Sequence, residues 1–156
     1  MPRGMALSEA VAGFVRQQAA AQPATQLATT ASSAAWLPFA GTGTRLWLDT
    51  GDIDEATRLW CRQFAALTTN NTLLNREVQK GQYDTLIQAA AACLDETAPE
   101  LSETERVREI AFVLNARHGL RLVQRFGAKV SVELHTDCAN DVDLTLAYAQ
   151  RFHAIC

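Results

Sequence analysis

The chain has 156 residues, 48% of them hydrophobic, and a formal net charge of −3. This size and composition predict one soluble domain with a substantial core. The mild acidity gives no electrostatic reason to expect nucleic acid or an anionic membrane as a partner. No apolar run approaches the roughly 20 residues that a transmembrane helix needs. Polar residues (Ser8, Glu9 and Arg16) interrupt any signal-like segment at the start, so a cytoplasmic location is expected.

The cysteines are scattered along the chain, with no close pair at metal-ligand spacing: Cys61, Cys93, Cys138 and Cys156. Reduced thiols are therefore expected, and neither a zinc site nor a structural disulfide is predicted. The sequence predicts no metal and no cofactor.

The first 43 residues are expected to form a leading segment. Residues 1–22 predict an amphipathic helix because apolar side chains recur at helical spacing: Leu7, Val11, Phe14 and Val15. Residues 23–43 are rich in Ala, Thr, Ser and Gly and predict a linker, pinned to the main body by Trp36, Leu37 and Phe39. Residues 44–156 are expected to form that main body.

The main body opens with a predicted strand and helix. The strand Leu46–Leu48 is apolar on both faces, which is typical of a strand buried on both sides in a parallel sheet. Asp52 is expected to cap the helix, which presents one apolar face: Ile53, Ala56, Trp60 and Phe64.

A second strand is predicted over residues 65–69, and Asn70 lies just past its end. The carboxyl ends of parallel strands meet at one edge of a sheet, where α/β folds bind ligands. Asp49 and Asn70 are therefore expected to emerge together. Two simpler interpretations stay open: Asp49 caps the following loop, or Asn70 and Asn71 are only a turn pair.

Helices dominate the following 50 residues. One helix is predicted from Tyr83 until Pro99 breaks the pattern. A capping box at residues 102–105 begins the next helix, which either runs through Gly119 to Phe126 or restarts after Gly119, and Gly127 is a natural stop. His118 falls within that helix and is expected at the surface.

A third strand is predicted over Val130–Leu134, followed by a last helix capped by Asp141. Alternation places Ser131 and Glu133 on one face and the aliphatic residues on the other. In a closed barrel the aliphatic face would pack on helices, and Glu133 would point inward. An inward carboxylate is costly unless it is paired or functional.

Two segments carry a family resemblance. Residues 48–53, LDTGDI, followed by residues 67–73, LTTNNTL, resemble the first two strands of the transaldolase family. That family has a strand ending in Asp-Thr and then a Thr-Thr-Asn-Pro-(Ser/Thr)-Leu segment; Asn71 stands where the family has Pro. Residues 110–136 also resemble transaldolases. The similarity covers residues 44–156, which is less than half of a family member.

The resemblance implies an α/β fold, an incomplete (β/α)8 TIM barrel with about three parallel β/α units after an N-terminal helix. The 113 residues from Thr44 to Cys156 are too few for a whole barrel, which takes about 250. The implied reaction belongs to the pentose phosphate pathway and transfers a dihydroxyacetone unit between sugar phosphates through a lysine Schiff base.

The resemblance also implies roles for single residues. Asp49 matches the strand-one acid that shuttles protons, and Asn70 matches the strand-two amide that hydrogen-bonds the sugar. Glu133 matches the strand-three acid that positions a proton-relaying water. Three hydroxyl side chains would line the same cavity: Thr68, Thr69 and Ser131.

The family's Schiff-base lysine lies on strand four, and the chain has two lysines, Lys80 and Lys129, neither at that position. Two hypotheses follow. The chain is a transaldolase-like fragment, inactive alone, that self-associates or pairs with a second chain carrying strands four to eight. Alternatively, it is a non-catalytic module that binds a sugar phosphate or a protein.

Overall fold

The computed structural model describes residues 2–28 and 31–155. Within them the secondary structure comprises the following elements: helix α1 Pro2–Ala21, helix α2 Leu37–Ala40, strand β1 Leu46–Asp49, helix α3 Ile53–Leu59, strand β2 Phe64–Thr68, helix α4 Asn71–Gln79, helix α5 Asp84–Thr97, helix α6 Glu103–Phe126, strand β3 Lys129–Ser131, a 3₁₀ turn Thr136–Cys138 and helix α7 Val142–Ile155. Among these residues, no helix has both the length and the apolarity needed to cross a membrane.

The three strands form one parallel sheet in the order β1-β2-β3. This confirms the predicted fold class, since three parallel strands with flanking helices make up part of a (β/α) barrel. The sheet is open, and helices cover one of its faces.

The covered face carries a row of aliphatic side chains paired across the strands, Leu48, Leu67 and Val130. These pack with α6 through Leu122 and Phe126, and both Leu67 and Leu122 are fully buried. The aliphatic face of β3 therefore packs on helices, as its alternation predicted.

The prediction that β1 is buried on both sides is wrong. Trp47 is 53% exposed and Asp49 is also exposed, whereas Leu46 and Leu48 are half-buried. The physical reason is that the described residues cover this strand only from the helix side. The opposite face would become an interior only in a closed barrel.

A second core lies among the helices. Val11 and Val15 of α1 are buried in one cluster with residues of α5, α6 and α7, including Leu94, Phe112 and Tyr148. The predicted N-terminal helix is thus confirmed for residues 2–21, and it packs on the helical layer. Met1 and Cys156 lie outside the described residues; Cys61, Cys93 and Cys138 are free thiols.

The predicted caps are present. Asp52 accepts the backbone N–H groups of Asp54 and Glu55, Ser102 and Glu105 form a reciprocal capping box, and Gly127 ends α6 with φ +61°. The positive φ explains a glycine at that position, because other residues are disfavoured there.

One helical boundary and one whole helix differ from the sequence prediction. Helix α3 ends at Leu59 because Trp60 is extended, with φ −60° and ψ 126°, so Phe64 begins β2 and is not part of the helix. Phe64 instead stacks on Trp60 and contacts Trp36, with ring centroids 5.8 and 5.7 Å away respectively. Trp36 thereby pins the linker to the main body, as expected. Helix α4 was not predicted at all.

Candidate functional site

The strand register aligns three of the predicted site residues. Asp49 of β1 pairs with Thr68 of β2, and Thr68 pairs with Ser131 of β3. Paired residues on neighbouring parallel strands share a face, and the strands lie about 4.8 Å apart. Asp49 and Ser131 are exposed and Thr68 is half-buried. These three side chains form one row on the open face of the sheet, and we call it the polar row.

Glu133 lies just beyond the polar row at the same edge. It follows Ser131 by two residues and lies past the end of β3, which stops at Ser131 and not at Leu134 as the sequence predicted. Between them, Val132 lies on the helix side, where both its methyl groups would be 3.6 Å from a Cβ placed on Gly119. Glu133 is therefore on the open side, and it is exposed.

Asn70 also lies one step beyond the polar row, where β2 turns into α4. Its backbone is extended, with φ −140° and ψ 172°, and its Oδ1 accepts the N–H of Leu73 at 2.9 Å. This cap fixes the amide plane, because it holds one end of the side chain against the helix. Its Nδ2 makes no hydrogen bond within the described part of the chain, which leaves a donor for a ligand.

Thr69 is not brought to the open face. It is 1% exposed and lies on the helix side of the sheet. Its backbone N–H donates to the Ser131 carbonyl at 3.1 Å. Its hydroxyl oxygen has no partner among the described residues. Of the three hydroxyl residues predicted to line a cavity, Thr68 and Ser131 are therefore the two beside Asp49.

The turns that carry Asp49 and Asn70 touch each other. A Cβ placed on Gly51 would lie 3.0 Å from the Leu73 carbonyl carbon and 3.1 Å from its oxygen. The first turn is also fixed by Thr50, whose hydroxyl donates to Glu55 Oε2 at 2.6 Å. The close approach at Gly51 sets how near the ends of β1 and β2 can come.

Asn71 contributes to the site in a way that the sequence did not reveal. It is the first residue of α4, a position where Pro is favoured. Its Nδ2 donates to the Leu134 carbonyl at 2.9 Å, and its Oδ1 accepts from Asn115 Nδ2 at 3.2 Å. Asn71 thus ties the start of α4 to the segment after β3, next to Glu133. The signal available in the sequence was the departure from the family's Pro at this position.

Neither lysine lies at the carboxyl ends of the strands, where Asn70 and Glu133 follow the polar row. Lys80 ends α4 and its Nζ contacts Asp52 Oδ2 at 2.8 Å and Glu77 Oε1 at 2.7 Å. Hydrogen bonds to these two carboxylates raise the pKa of Lys80 above its usual value, and the Lys80 ammonium lowers the pKa of Asp52 to about 2. Lys80 is therefore held as a cation, the non-nucleophilic form of an amine.

Lys129 is the first residue of β3 and is exposed. It pairs with Ala66, two residues nearer the amino end than the pair of Thr68 and Ser131, and by strand alternation it lies on the same face as Ser131. Its predicted place at the amino end of the third strand is confirmed.

The acids of this edge are free of ion pairs within residues 2–28 and 31–155, since no cation lies within 4.0 Å of Asp49 or Glu133. The same residues contain no cluster of three His, Cys, Asp or Glu side chains suited to a metal ion. Chemically, the edge offers two carboxylates for proton transfer, one amide donor and two hydroxyl groups.

Parallel β/α units with acid and amide groups at the carboxyl ends of the strands define an α/β protein of the barrel class. Residues 46–156 match the model of the family described as Transaldolase/Fructose-6-phosphate aldolase. The chain belongs to that family. It is 33% identical over 107 residues to a transaldolase of Xanthomonas euvesicatoria pv. vesicatoria (strain 85-10), a match that covers 69% of this chain and 32% of the relative. The chain thus spans about a third of the length of this curated relative.

Proposed function

We propose that this chain supplies the strand-one to strand-three wall of a transaldolase-type pocket, which handles the sugar-phosphate substrate of a dihydroxyacetone transfer. The observation that carries the proposal is the register that aligns Asp49, Thr68 and Ser131 in one row. Asn70 and Glu133 follow two residues after Thr68 and Ser131, past the ends of β2 and β3. Family membership supports the choice of chemistry.

In this proposal the two acids divide the proton transfers. Asp49 moves the proton at the substrate hydroxyl as the carbon–carbon bond breaks, and Glu133 positions the water that relays protons during imine formation. Asn70 uses its unoccupied Nδ2 to hold a sugar oxygen. Positioned acids of this kind typically contribute about 10²–10⁴-fold to the rate.

The amine is the component that these residues do not provide. The family reaction needs a neutral amine in the pocket. Lys80 is held as a cation by two carboxylates, and Lys129 lies at the amino end of β3, two residues before Ser131 and on the far side of it from Glu133. We therefore propose that residues 1–156 are inactive alone and act together with strands four to eight. The outer edges of β1 and β3, unpaired among the described residues, are where such strands or a second copy of the chain would add.

Borohydride trapping with fructose 6-phosphate tests the missing amine directly. The chain alone is expected to give no covalent adduct and no turnover above background. Addition of a chain that carries strands four to eight is expected to give an adduct on the added lysine. An adduct on Lys80 or Lys129 would overturn the proposal.

A matched pair of substitutions tests the acid. In the reconstituted protein, Asp49→Asn is expected to lower turnover about 10²-fold or more because it removes the proton acceptor without changing shape. Asp54→Asn removes an acid from the first turn of α3, away from the strand end, and is expected to leave turnover unchanged. Equal effects of the two substitutions would remove Asp49 from the proposed chemistry.

A second function is a non-catalytic binding module. It is favoured by the two ion pairs of Lys80, because an amine held as a cation cannot attack a carbonyl group. It differs from the first function in two measurable results. Fructose 6-phosphate would then bind the chain alone with an affinity that Asn70→Ala weakens, and added strands would give no turnover.

A further inference from the structure

A cavity of about 150 Å³ lies in the helical layer, and none of its lining residues belongs to the sheet. Tyr83, the residue that precedes α5, and Arg117 and Arg121 of α6 are among the residues that line it. Exposed Gln22 and Gln82 line its mouth. This volume accommodates several water molecules, each of which occupies about 30 Å³, or one small ion.

The two arginines give the cavity an unbalanced positive charge. Arg117 is only 3% exposed, and its Nη2 donates to the Gln22 carbonyl at 2.8 Å. Its Nη1 is buried with no hydrogen-bond partner among the described residues. A guanidinium in this state is costly, because a buried donor without an acceptor loses its hydration and gains nothing in return.

Arg121 adds a second guanidinium to the same cavity. Its Nη1 donates to the Tyr83 hydroxyl at 3.1 Å, and its cation lies 5.6 Å from the centre of the Tyr83 ring. Within the described residues, no carboxylate lies within 4.0 Å of either arginine. Burial raises the pKa of Tyr83 and the negative charge of Glu77 helps to raise it, but Glu77 Oε1 is already paired with Lys80 Nζ at 2.7 Å.

Tyr83 is held in position by His118, and the prediction that His118 lies at the surface is wrong. His118 is 1% exposed, and its Nδ1 lies 2.7 Å from the Tyr83 hydroxyl. Burial and the two neighbouring arginines lower the pKa of His118 to about 4, so the ring is neutral at physiological pH. The neutral ring adds no further cation, and the phenol is anchored between His118 and Arg121.

We propose that this cavity is a binding site for a small tetrahedral oxyanion of the phosphate type, held by Arg117 and Arg121. Guanidinium groups recognise such oxyanions through paired charge-assisted hydrogen bonds, and the amide of Gln22 supplies further donors. Gln82 Nε2 already donates to Glu77 Oε2 at 3.4 Å. The anion would balance the charge of the Arg117 guanidinium, which lines the cavity and has no carboxylate within 4.0 Å among the described residues. The site is independent of the function proposed above, because it shares no residue with the edge of the sheet.

Binding of inorganic phosphate to the intact chain tests the proposal, measured by equilibrium dialysis at constant ionic strength maintained with sodium chloride. Saturable binding is expected for the wild type. Arg121→Gln is expected to weaken it at least about tenfold, since it removes one charge-assisted partner. Because Arg121 is half-buried, a circular dichroism spectrum like that of wild type is required of the variant before binding is compared.

Arg125→Gln is the matched control. It removes the same charge from the same helix, together with one hydrogen bond to the Thr25 carbonyl, but Arg125 does not line the cavity. Binding within twofold of wild type is expected. A fructose 6-phosphate arm, run on wild type and Arg121→Gln, distinguishes a free phosphate site from one that accepts a phosphate ester, because an ester bound at the sheet edge would be insensitive to Arg121→Gln. The proposal is overturned if the wild type binds no phosphate, or if both variants weaken binding equally.

Discussion

Gly51→Ala is the substitution that most directly tests how the ends of β1 and β2 are held together. The added methyl group would lie 3.0 Å from the carbonyl carbon of Leu73, 3.1 Å from its oxygen and 3.1 Å from its Cβ. The obstructing atoms belong to the backbone and the root of a side chain at the start of α4. They cannot rotate away, so one of the two turns must shift.

Overpacking of this kind costs about 1–3 kcal/mol. Urea unfolding followed by circular dichroism measures the change in the free energy of unfolding. In a chain of this size the same loss corresponds to a fall of roughly 2–12 °C in Tm. Because the shift moves Asn70 relative to Asp49, the variant is also expected to lose activity in the reconstituted protein.

Gly13→Ala is the control for the substitution itself. Gly13 lies within α1 and is exposed, and a methyl group added there would have no atom within 4 Å. Alanine there is expected to stabilise the chain by about 0.5–1 kcal/mol, since glycine is a poor helix former. The two substitutions thus have opposite predicted signs. A Gly51→Ala variant as stable as wild type would refute the idea that the turns are in close contact.

The remaining predictions concern buried charge. Glu109 is 5% exposed and accepts hydrogen bonds from Arg151 and Tyr148 of α7. Glu109→Ala is expected to lower the free energy of unfolding by about 3–5 kcal/mol, because it leaves a buried guanidinium without its counter-ion. Asp95→Ala breaks a surface ion pair with Arg106 and is expected to lower the free energy of unfolding by less than about 1 kcal/mol. Equal losses for Glu109→Ala and Asp95→Ala in urea unfolding would contradict this expectation. The depressed pKa of His118 means that the unfolded chain binds its proton first as pH falls below 6.5. Stability is therefore expected to drop by about 2 kcal/mol from pH 7 to pH 5, and His118→Gln should flatten that slope; an unchanged slope would refute it.

Local sequence signals were sufficient wherever one residue decides the structure. The Ser102 capping box and Gly127 define both ends of α6, and Asp52 begins α3. The polar residues at the strand ends were predictable because a parallel sheet brings those ends to one edge. Their chemical roles came from the family resemblance and stay predictions.

The features that were missed depend on contacts between distant parts of the chain. Helix α4 is short and begins with Asn71, Thr72 and a cap at Asn70, a composition that also suits a turn. Its stability comes from Leu74, which is buried against α5 and α6. His118 was expected at the surface because it sits on a helix, and its partner Tyr83 is 35 residues away in sequence.

The exposure of Trp47 gives the open face of the sheet an optical signal of its own. Indole emission moves to shorter wavelength as water is removed, and Trp47 is 53% exposed while Trp36 is 38% exposed. A protein segment that covers the open face of the sheet would remove water from the Trp47 ring. Intrinsic fluorescence therefore reports coverage of the polar row without a label, and a Trp47→Phe variant identifies which indole the signal comes from.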